Sequence, residues 1–177
     1  QEGVPFTLTK TYIFKPNSYV FDLEIKIENS VNELIDLDFR GTAYTLGISP
    51  TIGPQYESLD NRSEYRNFRN FIGGKAKNQR IRGDEVLSEA KHVSWVAIVG
   101  KYFGVIVEPG PLYANKDSSR AYYMITYDQR KDPELIRRSA LFLGRPTIQS
   151  AKSKDTFRFY IGPLKREILS LYNKPEA

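Results

Sequence analysis

Chemistry in a chain of this size is carried most often by histidine, cysteine and paired carboxylates, and the sequence is poor in all three. His92 is the single histidine and there is no cysteine. Metal sites and catalytic triads built on two imidazoles are therefore excluded, as are thiol nucleophiles, cysteine-based zinc centres and disulfides. His92 reads as a strand-edge residue. Asp36 with Asp38, and Asp84 with Glu85, are of the right chemical type for acid–base work. Such neighbours are nevertheless ordinary on solvated strand faces and loops. Gly73-Gly74-Lys75 lacks the spacing of a phosphate loop. The run GKYFGVIV from Gly100 to Val107 has the look of an aromatic RNA-binding strand, but the two helices that such a module needs have no counterpart here. These residues predict no enzyme, no catalytic residue, no metal and no cofactor.

One stretch has the composition of a binding surface. Arg62, Arg66, Arg69, Lys75, Lys77, Arg80 and Arg82 are interleaved with Tyr65, Phe68 and Phe71. Rings and cations together are the ingredients of single-strand nucleic-acid grooves. The alternative is a hairpin with its tip at Gly73-Gly74, the rings forming its buried side and the charges its solvated face. The hairpin is favoured, and nucleic acid is not expected as a partner. The seven cations remain candidate contacts for an acidic protein partner or an anionic lipid surface, with an attraction that salt would weaken.

The elements that position these residues are mostly strands. Val93 to Pro109, VSWVAIVGKYFGVIVEP, is the densest apolar segment and is too short and too interrupted to span a bilayer, which takes roughly 20 apolar residues. It predicts two central strands joined by a type II′ turn at Gly100-Lys101, with Trp95 in the interior. Phe6 to Lys15 alternates polar and apolar residues. In Tyr19–Asn29, Phe21, Leu23, Ile25 and Ile27 fall on one face, with Val20, Asp22, Glu24, Lys26 and Glu28 on the other, the pattern of a half-buried antiparallel strand. Leu34–Phe39, Ala43–Ile48 and Ala121–Tyr127 continue the strand pattern. Glu134–Pro146 fits a short helix or a strand, with Gly144 and Pro146 favouring the strand. In Asp155–Ile161, Phe157, Phe159 and Ile161 are placed inward, with Arg158 and Tyr160 outward. Pro163 then suits a first helical position, and a helix over about 163–172 has Leu164, Ile168 and Leu171 on one stripe. That stripe either docks on the strands or lies in a membrane interface, and docking is favoured.

The chain of 177 residues fits one domain spanning 1–177, and a domain of this length buries about 70% of its unfolded surface, enough to need no covalent staple. The net charge of +5 points weakly to an acidic partner. Met124 is the only methionine, so the chain reads as a processed product or an excised piece of a longer protein.

Three stretches together resemble the large periplasmic domain of YidC-type bacterial membrane protein insertases. They are TLTKTYIFKPNSYVFDLEIKIEN, VSWVAIVGKYFGVIVEP and FRFYIGPLKREIL. Tyr19–Asn29 matches the early long strand of that domain, Trp95 with Tyr102-Phe103 its hairpin, and Tyr160-Ile161-Gly162-Pro163 its strand-to-helix junction. The Tyr56–Arg82 region matches no family feature. The resemblance implies a two-sheet antiparallel β-supersandwich, similar to galactose-mutarotase-like folds, with a short C-terminal helix. It implies a domain at the periplasmic face of the bacterial inner membrane within a multi-spanning protein. There it would assist insertion and folding of inner-membrane proteins by contacting Sec translocon components, nascent membrane proteins or lipid. Gln1 and Ala177 would then lie on the same side. The fold likeness also raises an alternative, a carbohydrate-active or sugar-binding β-sandwich protein, whose epimerase chemistry calls for a histidine pair that the sequence lacks.

Overall fold

The structure is a computed structural model, and it describes residues 5–49, 67–72, 75–79, 86–89, 93–110, 123–127 and 140–170. In chain order the strands are β1 (Thr7–Phe14), β2 (Val20–Glu28), β3 (Ile35–Ile48), β4 (Asn67–Ile72), β5 (Lys75–Gln79) and β6 (Val86–Glu89). They continue as β7 (Trp95–Val99), β8 (Phe103–Pro109), β9 (Tyr123–Tyr127), β10 (Ala140–Ser150) and β11 (Lys152–Pro163), followed by a short helix α1 (Arg166–Ser170). They form two antiparallel sheets. The larger has the order β1-β2-β11-β8-β7-β4-β5, the smaller β3-β10-β9-β6. Among the described residues no helix is long and apolar enough to cross a membrane.

The period-two patterns explain how the sheets meet. Leu23, Ile25 and Ile27 of β2, Phe157 and Phe159 of β11, Val105 and Val107 of β8, and Val96 and Ile98 of β7 all point to one face of the large sheet. There they join Ile35, Ile48, Leu141, Leu143 and Ile148 of the small sheet in one core. Asp22, Glu24, Lys26 and Glu28 take the opposite face of β2, as their alternation predicts.

Several local expectations shift. The β7–β8 turn is centred on Lys101-Tyr102, not on Gly100-Lys101: Val99 pairs with Gly104, and the Gly100 N–H donates to the Phe103 carbonyl at 2.8 Å. Tyr102 and Phe103 therefore leave the strand interior and stand exposed at its end. Pro163 closes β11 opposite Phe103, and the helix begins at Arg166. Leu34–Phe39 and Ala43–Ile48 belong to one 14-residue strand. Between them β3 bulges outward, since Thr42 faces Pro146 while Leu37 faces Ile148. Arg40 (φ 55°) and Gly41 (φ 84°) turn the bulge, and the Asp38 carboxylate accepts the Gly41 N–H at 2.6 Å. Pro146 sits at this irregularity, where a residue without an N–H breaks no ladder bond. Over residues 140–150 the ambiguous segment is strand, and residues 134–139 lie outside the described residues. Ile161 is exposed near the end of β11, whereas Tyr160 is buried beside Tyr19.

Trp95 is the clearest correction. Its strand is interior, but Val96 and Ile98 supply the core side, and Trp95 stacks at 5.7 Å on Phe71 on the outer face, half-buried. Trp95→Ala is therefore expected to cost about 2 kcal/mol in urea unfolding, below the ~3–5 kcal/mol of an enclosed aromatic.

β1 and β11 both run antiparallel to β2, so they run in the same direction. Pro5 and α1 consequently lie at opposite ends of the large sheet. Gln1 and Ala177 lie outside the described residues.

Candidate functional site

The most concentrated polar chemistry is between the sheets. Arg145 of β10 and Asp155 of β11 are both buried, 6% and 4% exposed. The Arg145 Nε–H donates to both carboxylate oxygens, at 3.1 and 2.9 Å, and an Nη1–H donates to the Pro146 carbonyl at 2.9 Å. The Tyr44 hydroxyl of β3 donates to Asp155 Oδ2 at 2.7 Å. Charge, hydrogen bonds and burial are thus matched, and the group has the chemistry of a clamp between sheets. It offers substrate no access. Sequence reasoning misses it, although a signal is present: Asp155 shares its strand face with Phe157 and Phe159, where a carboxylate requires a buried partner.

On the outer face of the large sheet a depression of about 380 Å³ is lined by residues that include Ile13, Asp22, Glu24, Glu108, Thr156 and Arg158. Its carboxylates are largely paired along the sheet surface. Arg158 Nε–H donates to Asp22 at 2.9 Å, Lys154 meets Glu24 at 2.8 Å, and Glu108 lies directly across from Arg158. Exposed pairs of this kind contribute roughly 0–1 kcal/mol each. They make a solvated charge ladder rather than a nucleophile with its base. Among the described residues no three potential metal ligands converge.

The other carboxylate candidates are equally plain. Asp36 accepts a 3.4 Å hydrogen bond from Gln149 Nε2, and Asp38 caps the β3 bulge. Asp84, Glu85 and His92 lie outside the described residues.

Of the seven basic candidates, Arg62, Arg66, Arg80 and Arg82 lie outside the described residues. Arg69, Lys75 and Lys77 are exposed on β4 and β5, but the register divides them. Arg69 is on the outer face beside Phe71, whereas Lys75 and Lys77 pair with Ile72 and Asn70 and share the face of buried Phe68. The three do not form one patch.

The terminal segment is held at its start. The Leu164 N–H donates to the Tyr102 carbonyl at 2.7 Å, and the Leu164 side chain lies on Gly104 beside Val99, where a Cβ on Gly104 would come within 2.9 Å of it. Ile168 is half-buried, and Leu171 lies outside the described residues.

One surface has no counterpart among the sequence expectations. β1 ends the large sheet, with β2 as its only strand neighbour among the described residues, and all eight of its residues are exposed. Leu8, Tyr12 and Phe14 pair across from Ile27, Leu23 and Phe21 and so point to the core face of the sheet, yet they are 45%, 54% and 70% exposed. Tyr12, Phe14, Phe21 and Phe159 form a continuous aromatic row with neighbouring centroids 4.9–6.4 Å apart. The apolar face extends past what the small sheet covers. Edge strands are usually blunted by charge, proline or a bulge. β3 has its bulge and β5 its lysines, but β1 runs in unbroken register with Lys10 as its only charge.

Comparison with known proteins agrees with this architecture. The sequence model of the YidC periplasmic domain matches residues 1–176. The membrane protein insertase YidC of Treponema denticola is 32% identical over 173 residues, covering 97% of this chain and 28% of that protein. That of Treponema pallidum is 30% identical over 197 residues, covering 96% of this chain and 30% of that protein. The chain thus spans less than a third of the length of these curated relatives. A match along nearly its whole length, on strands that form two antiparallel sheets, means that the chain belongs to the YidC periplasmic domain family.

Proposed function

We propose that residues 1–177 form one accessory domain of a multi-spanning membrane protein insertase, placed at the periplasmic face of the inner membrane, which assists insertion and folding by binding rather than by catalysis. Two relatives named membrane protein insertases support this. The observation that carries it is the open edge of β1. An extended peptide can add to a sheet edge through main-chain hydrogen bonds while its alternate side chains find apolar neighbours. Leu8 and Tyr12 supply those neighbours, and Lys10 between them favours a segment with an acidic residue at the matching position. The occupant is a periplasmic segment of a membrane protein in transit. Contacts with Sec translocon components are the other partnership that the family implies.

The test uses the full-length insertase carrying Leu8→Glu with Tyr12→Glu, both at exposed positions. Insertion of a reporter membrane protein with a periplasmic loop is expected to fall several-fold at normal insertase abundance. A photocrosslinker at Lys10 is expected to capture the reporter chain. Wild-type insertion, with crosslinks confined to a Sec component, would transfer β1 to that partner and end the substrate reading.

A further inference from the structure

We propose that one end of the large sheet rests in the headgroup layer of an anionic bilayer. The strand register brings the residues together. Phe14 ends β1, Tyr19 immediately precedes β2, Ile161 lies near the end of β11, Tyr102 lies in the β7–β8 turn and Phe103 opens β8. β1, β2, β11 and β8 are consecutive neighbours, and these five residues lie at the same end of them. The Ile161 N–H donates to the Tyr19 carbonyl at 2.9 Å, and Pro163 pairs with Phe103. All five side chains are between 41% and 70% exposed.

Among the described residues, the charges at this end have one dominant sign. Lys15 and Lys101 occupy the two turns, Lys101 Nζ stands 5.1 Å from the centre of the Tyr102 ring, and Lys165 and Arg166 follow Leu164. Glu167 is the one carboxylate at the start of α1. Aromatic rings beside lysines and arginines are the composition of a membrane–water interface. Long basic side chains keep their stems on apolar surface and their charges among headgroups. The opposite end of the sheet provides the contrast. Val31 and Leu34 are 62% and 59% exposed there, but they flank Glu33, and the basic side chains at that end are balanced, Lys26 meeting Glu28 at 2.8 Å and Lys152 lying directly across from Glu28. Apolar exposure is common to both ends, whereas an excess of basic over acidic side chains, among the described residues of β1, β2, β11, β8 and their turns, belongs to the first.

The Tyr19 ring is also fixed. It lies over Gly162, where a Cβ would come within 2.8 Å of it, and beside Tyr160, whose hydroxyl donates to the Pro163 carbonyl at 2.6 Å. The rim is therefore part of the folded sheet rather than a loose tail. The inference is independent of the role given to β1, because Leu8 and Tyr12 lie along the strand and not at this rim.

The absence of cysteine allows a direct test, since Tyr102→Cys, Ile161→Cys and Leu34→Cys can each carry a single environment-sensitive nitrobenzoxadiazole label. With the 177-residue chain and phosphatidylcholine vesicles containing one third phosphatidylglycerol, labels at 102 and 161 are expected to brighten and shift to the blue, with no response at 34. Pure phosphatidylcholine vesicles are expected to bind less. Lys15→Gln and Lys101→Gln are each expected to lower the partition coefficient about fivefold, the change equivalent to ~1 kcal/mol per basic residue at an anionic surface. Silent labels at 102 and 161, an equal response at 34, or indifference to lipid charge would each overturn the proposal. Silence on vesicles together with impaired insertion by Phe103→Ser in the full-length insertase would assign this end to a protein partner instead.

Discussion

Asp155→Ala is expected to destabilise the protein by about 3–5 kcal/mol, because it leaves the Arg145 guanidinium buried without its carboxylate. The magnitude follows from the position of the pair between the sheets, where Arg145 and Asp155 are both almost fully enclosed. A surface pair such as Lys154–Glu24 can return to water when one partner is removed, and its loss is expected to change stability by less than about 1 kcal/mol. Tyr44→Phe removes one hydrogen bond to the Asp155 carboxylate and is expected to cost about 1.5–3 kcal/mol, the range for bonds to charged groups. Replacing both ions, as Arg145→Met with Asp155→Leu, is expected to recover most of the loss, since two apolar groups of similar volume leave no buried charge. Urea unfolding of the four variants measures these differences. Equal loss in Asp155→Ala and Lys154→Ala would show that the buried pair is not the clamp between the sheets.

Phe157→Ala is expected to cost about 3–5 kcal/mol through the lost burial of the ring and the cavity left behind. Phe157 is 1% exposed on β11, a strand paired on both sides, with Leu23 of β2 and Pro109 of β8 directly across from it. A void there has little room to collapse. Trp95→Ala removes a larger side chain but from the half-buried outer face, and it should cost less than Phe157→Ala in the same measurement. The reverse order would mean that the outer face of β7 is covered more completely than its exposure indicates.

Much of the strand content is legible in the amino-acid sequence alone, for a local reason. In β2 the alternation from Val20 to Glu28 assigns every residue to a face, because a side-chain period of two is a property of the extended backbone itself. Phe157 and Phe159 face inward on the same ground, and the lack of a histidine pair and of cysteine removes whole classes of chemistry without any geometry. Of the expected stripe of Leu164, Ile168 and Leu171, Leu164 precedes the helix and is set against Gly104, and Leu171 lies outside the described residues. Family likeness is readable in three separated stretches, because those segments contribute neighbouring strands of one sheet.

Only the tertiary structure decided what those local patterns met. Alternation says which face a residue takes, but not which strand lies beside it, and β11 inserts between β2 and β8 although residues 29–151 separate it from β2. The Arg145–Asp155 clamp depends on β10 stacking over β11, and the exposure of Leu8 and Tyr12 goes with a small sheet that has, among the described residues, four strands against seven. Register acted in the same way at the β7–β8 turn. Centring the turn on Lys101-Tyr102 keeps Val105 and Val107 facing the core and moves the Tyr102 and Phe103 rings to the sheet end, where Phe103 pairs with Pro163 of β11. Burial and pairing are set by contacts between residues far apart in the chain, so a period-two pattern fixes orientation while the packing of the two sheets decides whether an apolar face becomes core or surface.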